Sequence, residues 1–309
     1  MLRTFFLSLS RNQLMRTRLT RLSFARRAAG RFVAGEEPED AIRVCRELNA
    51  KGILVTLDHL GENVTTAAEA EAARDAYLHI LDRIHETGVK SHVSLKLTQF
   101  GLDISEGLCL ENVADVVERA QQYQTFVRVD MESTEYTDRT LATWRALWGQ
   151  FKNVGIVIQA YLYRSEQDIR TILDVGGRVR LCKGAYNEPP EKAFPKKADV
   201  DANFVKLMQI MLSQEARAKG AHIAVATHDP KMIAATKQYV AQHQIPKDQF
   251  EFQMLHGIRR DLQEQLVRDG YGMRVYVPYG REWYPYFMRR MAERPANFWF
   301  LVRNVVRIG

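Results

Sequence analysis

Short apolar runs rich in β-branched residues recur along the chain after residue 52, and stretches of helical periodicity separate them. Such runs are typical of parallel strands that are buried on both faces of a sheet. Eight runs occur, at residues 53–59, 92–97, 126–132, 154–160, 179–184, 222–228, 250–255 and 274–278. The helical patterns lie between them, at residues 67–87, 113–122, 138–150, 165–174, 201–219, 230–243 and 257–269. Eight strand–helix units predict an α/β fold, a (β/α)8 barrel of the TIM type.

The barrel pattern occupies most of the chain and leaves an appendage at its start. A length of 309 residues with 46% hydrophobic content suits one such barrel. No linker rich in Pro, Gly or Ser divides it. We therefore predict two parts, a basic helical N-terminal arm over residues 1–45 and the barrel over residues 46–309.

The last helical pattern carries the most specific chemistry. A helix that opens near Pro285 places Tyr286, Arg289, Arg290 and Glu293 on one face, because residues three and four apart are neighbours. Two adjacent guanidiniums form a fork for a small carboxylate. A solvated basic face is the alternative, but the aromatic residues that crowd this segment do not fit a merely solvated surface.

The positive charge of the chain is concentrated at its start. The net charge is +7, and the first 35 residues hold eight arginines and no acidic residue. Without those eight, 36 basic residues of the 44 face 37 acidic ones, so the body is nearly neutral. A surface that follows a phosphate backbone needs an excess of cations, and we therefore predict no nucleic acid as a partner of the body.

The arginine-rich arm allows three interpretations. It resembles a mitochondrial transit peptide, it is also typical of an amphipathic helix resting on an anionic membrane, and it could be a helix packed on the body. No stretch approaches the roughly 20 apolar residues of a membrane span, and no secretory signal is present. We predict a cytoplasmic protein, with peripheral contact at the inner face of the cell membrane under the second interpretation.

Cysteines and metal ligands give little chemistry. Cys45, Cys109 and Cys182 are odd in number and far apart, so they form neither a disulfide framework nor a metal-binding spacing. Asp58 and His59 at the end of the first strand are the only hint of a metal, and an isolated pair is weak evidence. We predict reduced thiols and no metal site.

Polar residues fall near the ends of the predicted strands, where the active sites of such barrels lie. They are Lys96, Asp130, Gln159, Arg180, Lys183, His228, Gln253 and Tyr276. One such residue is often only a barrel-mouth ion pair, but burying eight for packing alone would be costly. Three of them are cations, and the last helix adds two more. This excess predicts two anion sites, one for a diphosphate cofactor and one for a substrate.

Three motifs within this pattern match a known family. They are SLKL at 94–97, VRLCKGAY at 179–186 and YFMRRMAE at 286–293. The chain resembles monofunctional bacterial proline dehydrogenases over roughly residues 50–300. The resemblance implies a distorted barrel that binds FAD non-covalently, with the final helix over the barrel mouth. It also implies hydride transfer from L-proline to flavin N5, giving Δ1-pyrroline-5-carboxylate, with the electrons passed to a membrane quinone.

The resemblance further implies a place in proline catabolism to glutamate. The oxidation is the first step of that route. Some relatives carry a second dehydrogenase domain for the next step, and this chain is too short to hold one. We therefore expect a separate pyrroline-5-carboxylate dehydrogenase as the downstream enzyme.

The resemblance also assigns roles to residues. Lys96, Asp130 and Arg180 are the expected catalytic residues, with Asp130 orienting Lys96 and Arg180 beside flavin N5. The expected substrate-binding residues are Lys96, Leu255, Tyr276, Tyr286, Arg289, Arg290 and Glu293. The expected cofactor-binding residues are Asp130, Gln159, Arg180, Lys183, Gly184, Ala185, Tyr186, Thr227, His228 and Gln253.

Finer expectations concern three charged residues. Lys183 is expected to face the pyrophosphate, Glu293 to brace one arginine of the last helix, and Glu62 to pair with such an arginine as a gate over bound substrate. Two other function classes stay open. One is a Schiff-base aldolase that uses Lys96 or Lys183, and the other is a membrane-surface or nucleic-acid-binding protein that works through the arm.

Overall fold

Eight parallel strands close into a single barrel in the computed structural model, which describes residues 29–293 and their side chains up to Met291. The strands follow one another around the barrel in chain order, and the last pairs with the first. They are β1 (Leu54–His59), β2 (Ser91–Leu95), β3 (Val127–Val129), β4 (Val154–Gln159), β5 (Val179–Cys182), β6 (Ile223–Ala226), β7 (Phe250–Leu255) and β8 (Gly272–Tyr279). The closed barrel confirms the predicted fold class.

Helices surround the barrel and connect its strands. They are α1 (Pro38–Asn49), α2 (Ala67–Thr87), α3 (Glu106–Gln122), α4 (Thr137–Gln150), α5 (Ser165–Asp174), α6 (Lys197–Met211), α7 (Gln214–Ala218), α8 (Pro230–Gln242), α9 (Arg260–Arg268) and α10 (Trp283–Glu293). Short 3-10 turns follow β2 at Leu97–Phe100 and precede β7 at Lys247–Gln249.

Local sequence explains why α2 begins and ends as predicted. Thr66 and Glu69 form a capping box, in which each side chain accepts from the other residue's backbone N–H. Gly88 ends the helix in the left-handed conformation, with φ of 66°. All six residues of β4 are buried, as expected for a strand covered on both faces.

One predicted helix is divided in the structure. Residues 201–219 were expected to form a single helix, but α6 ends at Met211 and α7 starts at Gln214. Ser213 lies between them, and its hydroxyl accepts from the N–H of Ala216 at 3.2 Å. A serine at this position caps a new helix by replacing the missing backbone acceptor, so the prediction of one helix was wrong.

The first described helix crosses the expected boundary between arm and barrel. Helix α1 runs through residue 45, and its Ile42 and Cys45 are fully buried in the same core as the barrel strands. The division at residue 45 stays a prediction, and residues 1–28, which carry most of the arm, lie outside the described part of the chain. Between residues 29 and 293, no helix is long and apolar enough to cross a membrane.

Two apolar clusters position the functional end of the barrel. The larger lies between the strands and the surrounding helices. The smaller joins α10 to the carboxyl end through Phe287, Trp283, Leu60 and Ile258. The last helix therefore lies beside the loops that follow the strands, where the predicted site residues are found.

The cysteines are free thiols in this fold. Cys45 and Cys109 are buried and Cys182 is half-buried. Burial raises the pKa of each thiol to about 12, so all three are protonated near neutral pH. This agrees with the prediction of reduced thiols.

Candidate active site

Lys96 follows β2, and its ammonium group is held by a carboxylate from the neighbouring strand. Its Nζ lies 3.3 Å from Oδ1 of Asp58, whose side chain is only 1% exposed, and 3.9 Å from Oε1 of Glu62. Burial alone would lower the pKa of Lys96, but Asp58, Glu62 and Asp130 together raise it. Lys96 is therefore a fixed positive charge. Asp58, and not Asp130 as expected, makes the direct contact, because Asp58 is paired in register with Ser94, two residues before Lys96.

Asp130 instead anchors Arg180. Its Oδ1 accepts from Nη1 of Arg180 at 2.8 Å and from the hydroxyl of Ser94 at 2.8 Å. Its Oδ2 accepts from the hydroxyl of Tyr276 at 2.9 Å. The Arg180 guanidinium also lies over the Tyr276 ring, 5.3 Å from its centre. Asp130, Ser94 and Tyr276 thus fix one guanidinium inside the barrel, and Tyr276 contributes its hydroxyl as well as the apolar ring that was expected.

The two arginines of α10 contact different residues. Arg289 binds Glu62 as a fork, with Nη1–Oε2 and Nη2–Oε1 distances of 2.9 and 2.8 Å. Arg290 lies over the ring of Tyr286, 5.0 Å from its centre, as the shared helix face predicts. The expected pairing of Glu62 with an arginine of the last helix is confirmed, whereas its role as a gate stays a prediction. The side chain of Glu293 lies outside the described residues.

Lys183 follows β5 and is held by two carboxylates. Its Nζ contacts Asp201 and lies 2.7 Å from Oδ2 of Asp229. Burial opposes ionisation of Asp229, but hydrogen bonds from Lys183 and from the N–H of Lys231 hold its pKa at about 2. The expected contact with a pyrophosphate stays a prediction; an ammonium group has three donors, and these two carboxylates accept from two of them.

The site is therefore more nearly balanced in charge than the sequence suggested. Among the described residues, carboxylates contact at least four of the five expected cations, namely Lys96, Arg180, Lys183 and Arg289. The two anion sites that the cation excess predicted stay a prediction. A count of strand-end residues could not show that acids from other elements are folded against these cations.

The remaining expected cofactor residues form a connected arc along the carboxyl ends of β4 to β7. Gln159 donates to the backbone oxygen of Glu132 at 2.9 Å and accepts from the N–H of Ala185 at 3.3 Å. Nε2 of His228 accepts from the N–H of Leu255 at 2.9 Å, and this leaves that ring nitrogen unprotonated.

The rest of this set differs in exposure and in contacts. Gln253 is buried and donates to Glu251 at 2.6 Å, while Thr227 is buried and accepts from the N–H of Asp229 at 3.1 Å. The loop after β5 is more open, with Tyr186 half-buried and with Gly184 and Ala185 exposed.

Sequence reasoning missed four acids of this site. Asp58 was considered only as a metal ligand, although a strand-end acid beside a strand-end lysine also signals an ion pair. Asp229 follows the predicted sixth strand and caps α8, a position visible in the sequence. Asp201 lies within a helix and gives no signal.

Glu132 is the fourth acid, and it is buried. It accepts from the N–H and the hydroxyl of Thr98 at 3.2 and 2.8 Å. Burial raises its pKa to about 7.

Comparison with known proteins identifies relatives along the whole chain. A family model described as proline dehydrogenase matches residues 41–303. "Proline dehydrogenase 1" of Bacillus subtilis (strain 168) is 44% identical over 307 residues, which cover 99% of this chain and 100% of that protein. The proline dehydrogenase of Deinococcus radiodurans is 43% identical over 284 residues, which cover 90% of each chain.

A solved structure shares the fold. The crystal structure of proline utilization A (PutA) from Bdellovibrio bacteriovorus inactivated by N-propargylglycine matches 86% of this chain with a TM-score of 0.81 and 27% sequence identity. This chain spans 32% of that longer protein. The likeness to that structure therefore concerns one part of a larger chain.

Proposed function

We propose that this chain, which belongs to the proline dehydrogenase family and is an oxidoreductase, oxidises L-proline to Δ1-pyrroline-5-carboxylate with non-covalently bound FAD. The observation that carries the proposal is the group of cations beneath α10. Arg289 and Lys96 both approach Glu62, at 2.8 and 3.9 Å, so they point at one small region of the barrel mouth. A carboxylate already sits between two cations there, and a substrate carboxylate would meet the same charges.

Arg289, Arg290 and Lys96 would bind the proline carboxylate. Arg289 and Lys96 are held by acids, so their positions are fixed before substrate arrives, and fixed charges in a dry cleft stabilise a bound anion strongly. When proline binds, its carboxylate would replace part of the Glu62 contact to Arg289. Glu62 and Arg289 would then act as the expected gate.

Leu255, Tyr276 and Tyr286 would form the wall around the proline ring. Tyr286 is buried, and Leu255 packs against the cluster beneath α10. An apolar wall excludes water from the reacting carbon and fixes the ring while the carboxylate is held at its other side. Tyr276 would also keep Asp130, and with it Arg180, in place.

The residues after β4 to β7 fit a flavin. Arg180 offers the clearest sign, because its Nε is buried and has no hydrogen-bond partner among the described residues. A buried donor of this kind needs an acceptor, and ring nitrogens and oxygens of a flavin provide one. When bound, FAD supplies the hydride-accepting chemistry. Arg180 would place a positive charge where negative charge develops, and Asp130 would hold Arg180 there.

The other expected contacts would hold the rest of the cofactor. They are Gln159, Lys183, Gly184, Ala185, Tyr186, Thr227, His228 and Gln253. Gly184 adopts φ of +124°, and a Cβ at this position would lie 2.5 Å from Cδ1 of Tyr161. The backbone at Gly184 therefore packs against the Tyr161 ring. Because glycine has no side chain, a large ligand can approach the exposed side of this backbone closely.

The electrons would pass to a membrane quinone, with the arginine-rich arm as the peripheral contact to the membrane. The product would be taken up by a separate pyrroline-5-carboxylate dehydrogenase, as the first step of proline catabolism to glutamate requires. The arm would leave the barrel on the cytoplasmic side of the membrane. Removal of residues 1–28 tests this, because dye-linked turnover should persist while binding to anionic vesicles is lost.

The structure disfavours the alternative of a Schiff-base aldolase. Such a lysine attacks as the neutral amine and needs a lowered pKa. The pKa of Lys96 is raised despite burial, because Asp58, Glu62 and Asp130 surround it. Lys183 contacts two carboxylates, which occupy its ammonium group.

A visible absorption spectrum of the purified chain tests the proposed function, with L-proline added in the absence of oxygen. Flavin bands at roughly 450 nm that bleach on addition would support cofactor and substrate together. Bands that persist would retain the cofactor and reject the substrate. Protein that stays colourless after reconstitution with FAD would reject the proposal.

A further inference from the structure

The end of the barrel opposite the candidate active site contains a second cavity, of about 250 Å³. Its wall is built by residues at the beginnings of the strands. They include His92, Phe126, Arg128, Arg178, His222 and Arg274. Three guanidiniums and two imidazoles therefore converge on one small space, and none of the expected catalytic or substrate-binding residues lines it.

Within the described part of the chain, two of these guanidiniums contact only neutral groups. Nη1 of Arg128, a residue that is 4% exposed, donates to the backbone oxygens of Ile156 and Arg178 at 3.2 and 2.8 Å. The Arg178 guanidinium lies over the Phe126 ring, 5.4 Å from its centre. Within residues 29–293, neither arginine has a carboxylate at ion-pair distance. Carbonyls and rings orient a guanidinium, but they do not cancel its charge.

The acids near the cavity leave this charge in excess. Glu251 contacts Nε of Arg274 at 2.9 and 3.1 Å and also accepts from Gln253, so its oxygens are already engaged. Asp248 lines the cavity, but its side chain is exposed at the rim. Three guanidiniums thus face two carboxylates, one of which is committed to Arg274.

The two histidines of the cavity, His92 and His222, lie close to the same arginines. Burial lowers the pKa of His92 well below its ordinary value, and Arg274, Arg128, His222 and Arg178 lower it further. Burial also lowers the pKa of His222. Glu251 opposes this shift, whereas Arg128, Arg178 and Arg274 add to it. Both imidazoles are therefore neutral near pH 7, and a neutral imidazole offers an N–H donor to an anion.

We propose that this cavity binds a small multivalent oxyanion of the size of inorganic phosphate, with Arg128 and Arg178 as its principal ligands. Guanidiniums present paired donors that match the oxygens of phosphate and carboxylate. A buried cation without a counter-charge is costly, so an anion that enters lowers the free energy of the folded state. None of the residues that line the cavity belongs to the expected catalytic or substrate-binding set. We therefore expect a bound anion to stabilise the fold without altering turnover.

Calorimetric titration of the full purified chain with inorganic phosphate tests the site, at pH 7 and constant ionic strength with chloride as reference. We expect saturable binding to the unaltered chain. Arg178→Gln should weaken it about tenfold, since one charged contact is lost. Asp248→Asn should tighten it several-fold, because a rim carboxylate that repels the anion is removed. Arg145→Gln, an equal charge change on the exposed face of α4, should have no effect.

Two further measurements locate the bound ion. The ring resonances of His92 and His222 should shift during the phosphate titration, and Lys183→Gln, at the opposite end, should leave the binding constant unchanged. A parallel titration uses glycerol 3-phosphate. The ligand that binds more tightly shows whether the site prefers a phosphate ester or the free ion. Turnover of Arg178→Gln should equal that of Arg145→Gln.

Several outcomes would overturn the proposal. Phosphate heats that match those of chloride would remove the site. Equal binding by Arg178→Gln and Arg145→Gln would remove its main ligand. Loss of binding in Lys183→Gln, with Arg178→Gln unaffected, would move the anion to the other end of the barrel.

Discussion

The two ends of the barrel hold buried positive charge differently, apart from Arg274 at the amino end, which pairs with Glu251 at 2.9 Å. At the carboxyl end, Lys96, Arg180 and Arg289 contact carboxylates at 3.3, 2.8 and 2.8 Å respectively. At the amino end, Arg128 contacts backbone oxygens and Arg178 contacts a ring. A cation held by an acid can exchange that acid for an anionic substrate. A cation held by neutral groups keeps its orientation whether or not an anion arrives.

The difference predicts which property each end controls. Exchangeable ion pairs at the carboxyl end affect substrate binding and turnover, because the substrate competes with the protein's own acids. Fixed guanidiniums at the amino end affect the free energy of unfolding, because their contacts persist throughout the reaction. Five substitutions and their controls test this division, and Arg289→Met is expected to have the largest effect.

Arg289→Met should have the largest effect. It removes the fork for the substrate carboxylate and leaves the half-buried Glu62 with Lys96 at 3.9 Å as its remaining cation, so the KM for proline should rise about 100-fold or more. Steady-state kinetics measure the change, and the visible spectrum checks that flavin is retained. Arg145→Met on the exposed face of α4 is the control. An unchanged KM for proline would show that Arg289 does not bind the substrate carboxylate.

Arg180→Ala should act on the chemical step. Loss of a fixed positive charge beside the developing negative charge should slow flavin reduction about 100-fold at saturating proline. Stopped-flow absorbance measures this rate directly. Arg180→Lys keeps the charge and should recover part of the rate. Reduction at the unaltered rate in the alanine variant would show that Arg180 has only a structural role.

Gly155→Ala tests the amino end. A Cβ at this position would lie 2.5 Å from Nη1 of Arg128 and 2.6 Å from both Cζ of Phe126 and the backbone oxygen of Arg178. Such overpacking should lower the free energy of unfolding by about 1–3 kcal/mol, measured in urea. At 25 °C, kcat/KM should not change.

Gly149→Ala is the matched control for that change. Gly149 is exposed in α4, and a Cβ there meets no atom within 4 Å. Alanine should stabilise this helix by up to about 1 kcal/mol. If Gly155→Ala lowers kcat/KM as strongly as it lowers stability, the two ends are not independent.

The pH dependence of stability should show opposite slopes from the two ends. Glu132 at the carboxyl end has a pKa raised by burial to about 7 from an ordinary 4.5. Between those values the folded state holds a proton that the unfolded state has lost, so the free energy of unfolding falls as pH rises. His92 at the amino end has a lowered pKa. Below its ordinary value of 6.5 the unfolded state binds the extra proton, so the free energy falls as pH drops.

Two conservative substitutions separate these slopes. Between pH 5 and 7, Glu132→Gln should make stability rise more steeply with pH, and His92→Gln should make it rise less steeply. Each difference should be at most about 1.4 kcal/mol per pH unit. Urea unfolding in a buffer without phosphate measures both. Profiles parallel to that of the unaltered chain would show that neither group titrates differently on folding.

The strands could be predicted from sequence because their apolar runs have one clear physical meaning. The run at 250–255 coincides with β7, since every residue there is at least half-buried. The run at 126–132 overshoots β3, which ends at Val129. Beyond that residue the chain turns its acids toward Arg180 and Thr98, and a periodicity argument cannot distinguish such a turn from a longer strand.

Partners across the barrel could not be predicted. Lys96 and Asp58 lie 38 residues apart, and sequence pattern does not say which acid of a neighbouring strand faces which cation. The amino-end cavity was missed for a different reason. Arg178 and His222 lie just before their strands. The sequence prediction considered polar residues near the carboxyl ends of the strands, so it did not consider these two.

Closure of the barrel also affects how the chain folds during its synthesis. The pairing of Leu54 with Arg274 joins residues that are 220 positions apart, so β1 has no partner on one side until β8 has been synthesised. At the usual speed of translation, that edge stays open for about 10–40 s. The unpaired N–H and C=O groups of a strand edge can bind strands of other chains. We therefore expect nascent or truncated forms that lack β8 to depend on chaperones, and to aggregate at concentrations at which the finished chain stays in solution.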